Sequence, residues 1–376
     1  MNIVEFFLNG FSALTWQHAV MWLVGAVLIY LAIAKDFEPA LLLPMGFGAI
    51  LVNIPFSGAV SQIVGDMHVE GILDTLFDIG ISTEMFPLLL FIGIGAMIDF
   101  GPLLSNPMML LFGAAAQFGI FFTLVVATLL GFDIRDAASI SIIGAADGPT
   151  SIFVANFFKS SLLAPITVAA YSYMALVPVI QPFAIKLVTT KKERRIRMEY
   201  KPASISKKTR IFFPILVTLV TGLIAPTSVS LVGFLMFGNL IRECGVLENL
   251  SETAQKALVN LITLLLGITI ASSMQAETFV NWRTLMVISL GLVAFIMDTI
   301  GGVLFAKFLN LFRKDKINPM IGAAGISAFP MSARVIQKMA FAEDKENYIL
   351  MHAVGANVSG QIASVVAGGL IMALVR

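Results

Sequence analysis

Long apolar runs restrict the fold of this chain more than any other feature of its sequence. Segments such as His18–Ala34, Met108–Leu130 and Leu285–Phe312 approach the ~20 residues that an α-helix needs to cross a ~30 Å hydrocarbon layer. Hydrophobic residues make up 58% of the chain and charged residues only 12%. The sequence therefore predicts an all-α polytopic membrane protein and not a soluble domain or a β-barrel.

Asp147 interrupts one of these apolar runs. It precedes Gly148 and Pro149 within residues 143–156, IGAADGPTSIFVAN. Proline lacks an amide hydrogen and glycine favours non-helical backbone, so a helix cannot run smoothly through this point. Within a membrane, free backbone groups and an ionisable side chain are tolerated only where they line a cavity or bind a small ion or a proton. Asp147 is therefore the leading candidate for a functional residue.

The charged residues are distributed unevenly between the loops. Residues 186–210 contain ten basic residues and two acidic ones, which predicts a cytoplasmic linker. The segment 57–84 contains no Lys or Arg but carries Asp66, Glu70, Asp74, Asp78 and Glu84, which favours the outer side. A solvated face or anionic lipid headgroups explain the basic run, and docking of a partner is the alternative.

The second half of the chain resembles the first. A segment beginning at Pro39 is loosely repeated at Pro226, and Ile143-Gly-Ala-Ala-Asp is repeated as Ile321-Gly-Ala-Ala-Gly. The loop before the first Gly-Ala-Ala motif is acidic, whereas the loop before the second is basic. The two motifs should therefore enter the membrane from opposite sides, as inverted repeats do.

These patterns predict two inverted repeats of about five transmembrane helices, each with a broken or re-entrant segment. The first repeat covers residues 1–185, the basic cytoplasmic linker 186–210, and the second repeat 211–376. Ten spans are expected, at His18–Ala34, Pro39–Ile54, Phe86–Ile98, Met108–Leu130, Leu162–Phe183, Ile211–Ala225, Val229–Ile241, Leu258–Ala271, Leu285–Phe312 and Tyr348–Val375. If both interrupted segments turn back, the chain starts outside and its linker lies inside.

Three stretches together resemble a known family. They are the Asp147 segment, residues 170–182 (AYSYMALVPVIQP) and residues 318–334 (NPMIGAAGISAFPMSAR). They resemble the membrane β subunit of the biotin-dependent sodium-pumping decarboxylases of oxaloacetate, methylmalonyl-CoA, glutaconyl-CoA and malonate, and the similarity covers nearly the whole chain. The resemblance implies that the chain receives carboxybiotin, releases carbon dioxide, and couples this step to Na⁺ export with uptake of an external proton.

The resemblance also implies a set of site residues. Ion-binding or coupling roles fall on Asp147, Tyr173, Asn318, Gly322, Ser327 and Asn357, with Arg334 in the same motif. Sodium is a hard cation that prefers oxygen ligands, so the carboxylate, amide and hydroxyl oxygens of this set suit it. For the Asn and Ser residues the alternative is interhelical hydrogen bonding, worth ~0.6 kcal/mol each. For Gly322 the alternative to ion binding is that the absence of a side chain permits close approach of another backbone. The chain departs from the family pattern at Ala145, Ala323 and Ala356.

Two of these residues have proposed chemical roles. Tyr173 could move a proton, because a phenol is neutral at pH 7 and tolerable in a membrane; an ordinary buried tyrosine is the alternative. Arg334 could pair with the carboxylate of carboxybiotin, or it could anchor a segment at the membrane surface.

Asp298 lies within an apolar run and ranks below Asp147 because it is not part of the resemblance.

No biotin attachment sequence is present, so biotin must arrive on another chain. The resemblance implies a biotin carrier subunit, a carboxyltransferase subunit and a small membrane subunit as partners in an oligomeric complex, with Na⁺ and carboxybiotin as the bound species. The expected location is the bacterial inner (cytoplasmic) membrane, and no partner is a nucleic acid. The alternative is a stand-alone sodium-coupled secondary transporter, either a sodium/proton antiporter or a carboxylate carrier, since such proteins also use inverted repeats.

Overall fold

The structure, a computed structural model, describes residues 10–64, 67–200 and 204–375. Most of these residues are helical (76%), and a two-stranded antiparallel hairpin of β1 (Gln62–Val64) and β2 (Met67–Val69) lies in the acidic loop. The prediction of an all-α polytopic membrane protein is confirmed. Asp66 of the acidic loop and residues 201–203 of the basic linker lie outside the described residues.

The first half contains short helices as well as long ones. Its elements are α1 (Trp16–Lys35), α2 (Pro39–Val52), α3 (Ile72–Phe77) continued by a π-helical turn (Asp78–Ser82), α4 (Met85–Met97), α5 (Gly101–Ser105), α6 (Met109–Ala115), α7 (Phe118–Leu129), α8 (Ile134–Ser141) continued by a 3₁₀ turn (Ile142–Ala145), α9 (Gly148–Phe157), α10 (Leu163–Ala175), α11 (Val177–Val188) and α12 (Lys191–Arg194).

The second half follows a similar order. Its elements are α13 (Lys207–Ile224), a 3₁₀ turn (Pro226–Ser228), α14 (Val229–Glu243), α15 (Glu248–Thr253) continued by a π-helical turn (Ala254–Leu258), α16 (Val259–Ile270), a 3₁₀ turn (Ala271–Ser273), α17 (Ala276–Phe279), α18 (Trp282–Phe312), α19 (Met320–Ala323), α20 (Met331–Glu343) and α21 (Leu350–Leu374).

Equivalent pairs of helices pack together across the two halves. Helix α4 packs on α14 and α16 packs on α2, while α9 packs on α21 and α20 packs on α11. The α4–α14 contact brings backbone against backbone, because a β-carbon added at Gly95 would lie 1.8 Å from Leu235 O and one added at Gly238 would lie 1.9 Å from Ile92 O. This exchange of partners is the arrangement expected of an internal repeat. The exact boundaries at residues 185 and 211 stay a prediction.

Helix α18 shows how the two interrupted segments are oriented. Val287, near its N-terminal end, lies in the same hydrophobic cluster as Ile143 of the first segment. Near its C-terminal end, Gly302 contacts Gly322 of the second segment, and Lys307 Nζ donates to Val188 O at the linker (3.0 Å). Val287 and Lys307 are about 30 Å apart along the axis at ~1.5 Å per residue, the thickness of a hydrocarbon core. The two segments therefore approach from opposite ends of α18, as the charges of the loops predicted.

Both interrupted segments turn back towards the side on which they start. Ser160, after α9, donates its hydroxyl to Asp136 Oδ1 at the start of α8 (2.6 Å). At the other end of the molecule, Asn318 and Asn347, which flank α19 and α20, both donate their side-chain amides to Arg194 O (2.9 and 3.1 Å). Each segment is thus a re-entrant hairpin.

The number of membrane spans is only partly supported by helix length and hydropathy. Among the described residues, five helices are long and apolar enough to cross a membrane, and counting two bent pairs as single spans gives seven. One bent pair is α10–α11, expected as one span, which bends by 75° where Pro178 enters α11. The other three expected spans are α2 and α14, with 14 and 15 residues, and α13, which begins with basic residues. The total of ten stays a prediction.

The orientation of the hairpins can be tested by cysteine labelling. In a Cys244→Ala background, single cysteines at Arg135 and Lys314 should react with a membrane-impermeant maleimide from opposite sides, because the two hairpins open at opposite ends of α18. A cysteine at Lys192 should react from the same side as Lys314. Labelling of Arg135 and Lys314 from one side would contradict the inverted arrangement.

Close packing of α18 on the second hairpin predicts a large cost for one added methyl group. A β-carbon at Gly302 would lie 2.1 Å from Gly322 O, whereas one at Gly233 in α14 meets its nearest atom at 3.8 Å. Gly302→Ala should lower the free energy of unfolding by about 1–3 kcal/mol through overpacking. Gly233→Ala, the matched control, should be neutral or raise it by up to ~1 kcal/mol through helix propensity. Thermal unfolding in detergent measures both; equal melting temperatures would contradict the backbone contact.

Candidate functional site

The first interruption lies where the sequence predicts it. After the 3₁₀ turn, Ala146 adopts a left-handed conformation (φ 52°), Asp147 is extended, and α9 begins at Gly148 with Pro149 in its first turn. Asp147 acts as the N-cap of α9, since its Oδ1 accepts a hydrogen bond from Thr150 N (3.2 Å). The carboxylate therefore lies at the break itself.

The second interruption meets the first. Between α19 and α20 the chain leaves the helical conformation, and there Ser327 N donates to Ala145 O (3.0 Å). The Ser327 hydroxyl also donates to Asp147 Oδ2 (3.0 Å). One backbone bond and one side-chain bond thus join the two tips, and they pair groups that the interruptions leave without helical partners.

Asp147 is buried and surrounded by neutral donors. Besides Thr150 and Ser327, it accepts a hydrogen bond from the Ser364 hydroxyl of α21 (2.8 Å to Oδ2). Only 4% of Asp147 is exposed, and among the described residues no Lys, Arg or His forms an ion pair with it. A buried carboxylate without a basic partner needs a proton or a bound cation to offset its charge.

Asn357 approaches the same joint from α21. Its side-chain amide donates to Ile326 O (2.7 Å), next to Ser327, and its Oδ1 is buried and accepts no hydrogen bond within the described part of the chain. Asn357 and Ser364 lie two turns apart on one face of α21. The structure therefore brings three of the expected site residues, Asp147, Ser327 and Asn357, to one place.

Tyr171, not Tyr173, is the tyrosine beside this joint. The Tyr171 ring lies against Gly148, where an added β-carbon would come within 2.4 Å of Cζ, and its hydroxyl is buried with no hydrogen-bond partner among the described residues. Tyr173 instead donates its hydroxyl to Ile288 O of α18 (2.5 Å). Residues two apart on a helix point in different directions, so only one of the two can face Asp147.

Asn318 binds the linker and not the joint. Its side-chain amide donates to Arg194 O and to Ile196 O (both 2.9 Å), and its Oδ1 accepts from Met320 N (3.1 Å). The Arg194 guanidinium is buried and pairs with Glu343 at the end of α20 (2.7 Å). Residues 189–198, here called the linker strap, thus hold both ends of the second hairpin. A sodium-binding role for Asn318 stays a prediction.

Gly322 and Arg334 occupy two further places on the second hairpin. Gly322 packs its backbone on Gly302, as a residue that permits close approach would. Arg334 is exposed in the first turn of α20 and lies near Glu38 of the α1–α2 loop; burial raises the pKa of Glu38, and Arg334 partly offsets that rise. Neither residue has a hydrogen bond to Asp147 among the described contacts.

Asp298 is fully buried on α18, where it contacts the first hairpin at Gly144. Its Oδ1 accepts a hydrogen bond from Ile120 N at the break between α6 and α7 (3.1 Å), and its Oδ2 faces Gly144. Oδ2 has no hydrogen-bond partner within the described residues. Asp298 therefore stabilises a third irregular piece of backbone beside the joint.

Thr150, Tyr171 and Ser364 were not among the residues expected from the sequence. Thr150 carries a signal, because an Asp followed closely by a proline is typical of a helix N-cap, whose side chain accepts a hydrogen bond from the amide three residues later. Tyr171 and Ser364 reach the joint through the packing of α10 and α21, which sequence spacing does not reveal.

Interrupted membrane segments that meet at a buried carboxylate define an ion-translocating membrane protein. The comparison with known proteins agrees. Residues 17–375 match the family described as the Na⁺-transporting oxaloacetate decarboxylase beta subunit.

Relatives match over nearly their whole length. The methylmalonyl-CoA decarboxylase subunit beta of Propionigenium modestum is 47% identical, over 99% of this chain and 98% of the relative. The glutaconyl-CoA decarboxylase subunit beta of Acidaminococcus fermentans is 48% identical (98% and 96%). The oxaloacetate decarboxylase beta chain of Klebsiella pneumoniae is 42% identical (96% and 96%).

The chain belongs to this family of decarboxylase β subunits. It is the membrane subunit of a sodium-translocating decarboxylase and works within a larger complex. Nothing in these comparisons favours the alternative of a stand-alone transporter.

The linker strap leads to a prediction about Arg194. Arg194→Gln should lower the free energy of unfolding by on the order of 2 kcal/mol, because the charged hydrogen bonds to Glu343 are lost. Arg197→Gln, whose pair with Asp344 is more exposed (56% for the arginine side chain), should cost much less. Thermal unfolding in detergent measures both.

The same pair has a defined pH dependence. Hydrogen bonding from Arg194 holds the pKa of Glu343 below its ordinary value of 4.5. The contribution of the pair is therefore complete at neutral pH and is lost only as the pH falls through the lowered pKa. An equal effect of Arg194→Gln and Arg197→Gln at pH 7 would contradict a special role for Arg194.

Proposed function

We propose that this subunit decarboxylates carboxybiotin delivered by a biotin carrier subunit and uses the reaction to export Na⁺, with consumption of an external proton. The observation that carries the proposal is the buried Asp147 carboxylate, held by neutral donors at the joint of two re-entrant hairpins. Membership in a family of Na⁺-transporting decarboxylase β subunits supports the choice of ion.

The sodium ion is bound at this joint. Asp147 supplies the negative charge, and Ser327 and the free Oδ1 of Asn357 supply neutral oxygens, the ligand type that hard cations prefer. The Tyr171 hydroxyl is a further oxygen beside Gly148. Asn318 and Gly322, also expected at the ion site, act on it through the position of the second hairpin, which they hold to the linker strap and to α18.

Arg334 receives the carboxylate of carboxybiotin. It is an exposed cation in the first turn of α20, and its guanidinium, unlike an ammonium group, suits bidentate recognition of a carboxylate. In the reaction the N–C bond of carboxybiotin breaks, carbon dioxide leaves, and the ureido nitrogen takes a proton. Tyr173 is the proposed carrier of that proton, although its hydroxyl bonds to Ile288 O in this structure.

Ion binding and chemistry must depend on each other. Moving one Na⁺ outward against ~100 mV costs about 2.3 kcal/mol before any concentration term, so decarboxylation with no sodium bound would dissipate the driving force. One carboxylate that accepts either the ion or a proton enforces this dependence, because both offset the same charge at Asp147.

The surroundings of the subunit follow from the same proposal. The complex contains a biotin carrier subunit, a carboxyltransferase subunit and a small membrane subunit, and it is oligomeric. It lies in the bacterial inner membrane with the basic linker in the cytoplasm, where carrier and linker meet on one side.

The test is replacement of Asp147 in the assembled complex. Asp147→Asn keeps the shape of the side chain but removes the charge that offsets sodium, so both Na⁺ transport and carboxybiotin decarboxylation should fall at least 100-fold. Sodium-dependent thermal stabilisation should disappear as well. The measurements are ²²Na⁺ uptake into vesicles, carbon dioxide release, and melting temperature with and without NaCl.

Two variants complete the experiment. Asp136→Asn removes a carboxylate of the same hairpin away from the joint and should keep sodium stabilisation. Tyr173→Phe should keep sodium stabilisation yet lose most turnover if this residue carries the proton. Full decarboxylation by Asp147→Asn with loss of transport alone would place Asp147 outside the chemical step, and normal turnover of Tyr173→Phe would remove Tyr173 from the mechanism.

A further inference from the structure

A cavity of about 570 Å³ lies at the C-terminal end of α18, beside the linker strap. Most of its lining is basic or apolar, with the lysines Lys192, Lys307 and Lys316 beside Ile196, Phe308 and Leu311; Glu193 and Asn310 complete it. A cavity with both properties suits a ligand that is both anionic and apolar.

The charges in this cavity are only partly balanced. Lys307 Nζ pairs with Glu193 (3.0 Å) and donates to Val188 O. In the described part of the chain, Lys316 Nζ donates to the backbone carbonyls of Asn310 and Arg313, at the end of α18. Lys192 is exposed and forms no ion pair among the described residues. Lys192 and Lys316 thus line the cavity without a carboxylate partner among the described residues.

The location of the cavity identifies the apolar part of the ligand. Phe308 and Leu311 lie in the last turns of the longest membrane helix, and they are 55% and 76% exposed. Apolar side chains exposed at that depth face the acyl chains of the bilayer, while the lysines lie at headgroup level. The linker side is also the side on which basic clusters meet anionic lipid headgroups.

We propose that this cavity binds an anionic phospholipid. The phosphate lies between Lys192 and Lys316, and an acyl chain runs along Phe308 and Leu311. The lipid also contacts the Ile196 side chain, whose backbone carbonyl holds Asn318 (2.9 Å). Occupancy of the cavity therefore stabilises the linker strap on the second hairpin, and bound lipid and the ion-binding joint are connected through that hairpin.

The experiment uses the full chain in neutral detergent and requires no activity. Dioleoylphosphatidylglycerol and dioleoylphosphatidylcholine are titrated separately, with melting temperature and native mass spectrometry as readouts. Phosphatidylglycerol should raise the melting temperature saturably and remain bound as a discrete adduct, whereas phosphatidylcholine should do neither. Inorganic phosphate and glycerol phosphate are titrated in the same way, to separate a lipid site from a free-anion site.

Matched variants locate the site. Lys192→Gln/Lys316→Gln should weaken phosphatidylglycerol binding about 30-fold, from ~1 kcal/mol for each lysine near the headgroup. Lys208→Gln/Lys338→Gln removes the same charge at exposed positions that do not line the cavity and should bind as the unaltered chain does. Because Lys316 also bonds to carbonyls at the end of α18, the effect of lipid is measured for each variant as the shift from its own melting temperature without lipid.

Three outcomes would overturn the proposal. They are equal stabilisation by the two lipids, undiminished phosphatidylglycerol binding in Lys192→Gln/Lys316→Gln, and full stabilisation by inorganic phosphate alone. If a protein subunit covers the cavity instead, the first or second of these results is expected from the isolated chain. None of them bears on sodium binding at Asp147, so this proposal and the proposed function fail separately.

Discussion

The structure depends on keeping the Asp147 carboxylate inside a membrane protein. Removing a carboxylate from water costs several kcal/mol unless hydrogen bonds and an opposite charge offset the loss. The two interrupted hairpins supply the hydrogen bonds, because Thr150 belongs to the first and Ser327 to the second, while α21 adds Ser364. The interruptions also leave backbone groups that a lipid environment would not tolerate, and the bond between Ser327 N and Ala145 O pairs two of them. The contacts that hold the two hairpins together are therefore the same contacts that form the site.

The sequence predicts those parts of this arrangement that have a local cause. Gly148 and Pro149 together disfavour a helix that continues through them, whereas proline is tolerated in the first turn of a new helix, so the break next to Asp147 could be predicted. Loop charge gave the opposite approach of the hairpins, since it reflects which side of the membrane a loop occupies. Asn357 was found because the resemblance marks it, and the structure gives it a buried oxygen beside the second break.

Other parts have no local cause and could not be predicted. Tyr171 and Tyr173 are equivalent in a sequence, and only the packing of α10 on α18 and α9 decides which one faces Asp147. Asn318 carries the same amide as Asn357, yet it binds the carbonyls of a linker more than a hundred residues earlier in the chain. The bend between α10 and α11 follows from proline, but its size follows from the helices on either side. In each case long-range packing decides what a polar side chain contacts.

The shared acceptor at Arg194 has a mechanical consequence. Asn318 and Asn347, at the two ends of the second hairpin, bind one and the same carbonyl oxygen. The two ends of the hairpin are thus held to the linker strap close to one another, with a further bond from Asn318 to Ile196 O, while the tip of the hairpin carries Ser327. A tilt of the hairpin about these attached ends would displace the tip most and the ends least. Any rotation of the linker strap would therefore change the distance between Ser327 and Asp147, because α20 connects the attached end of the hairpin to the segment that carries Ser327.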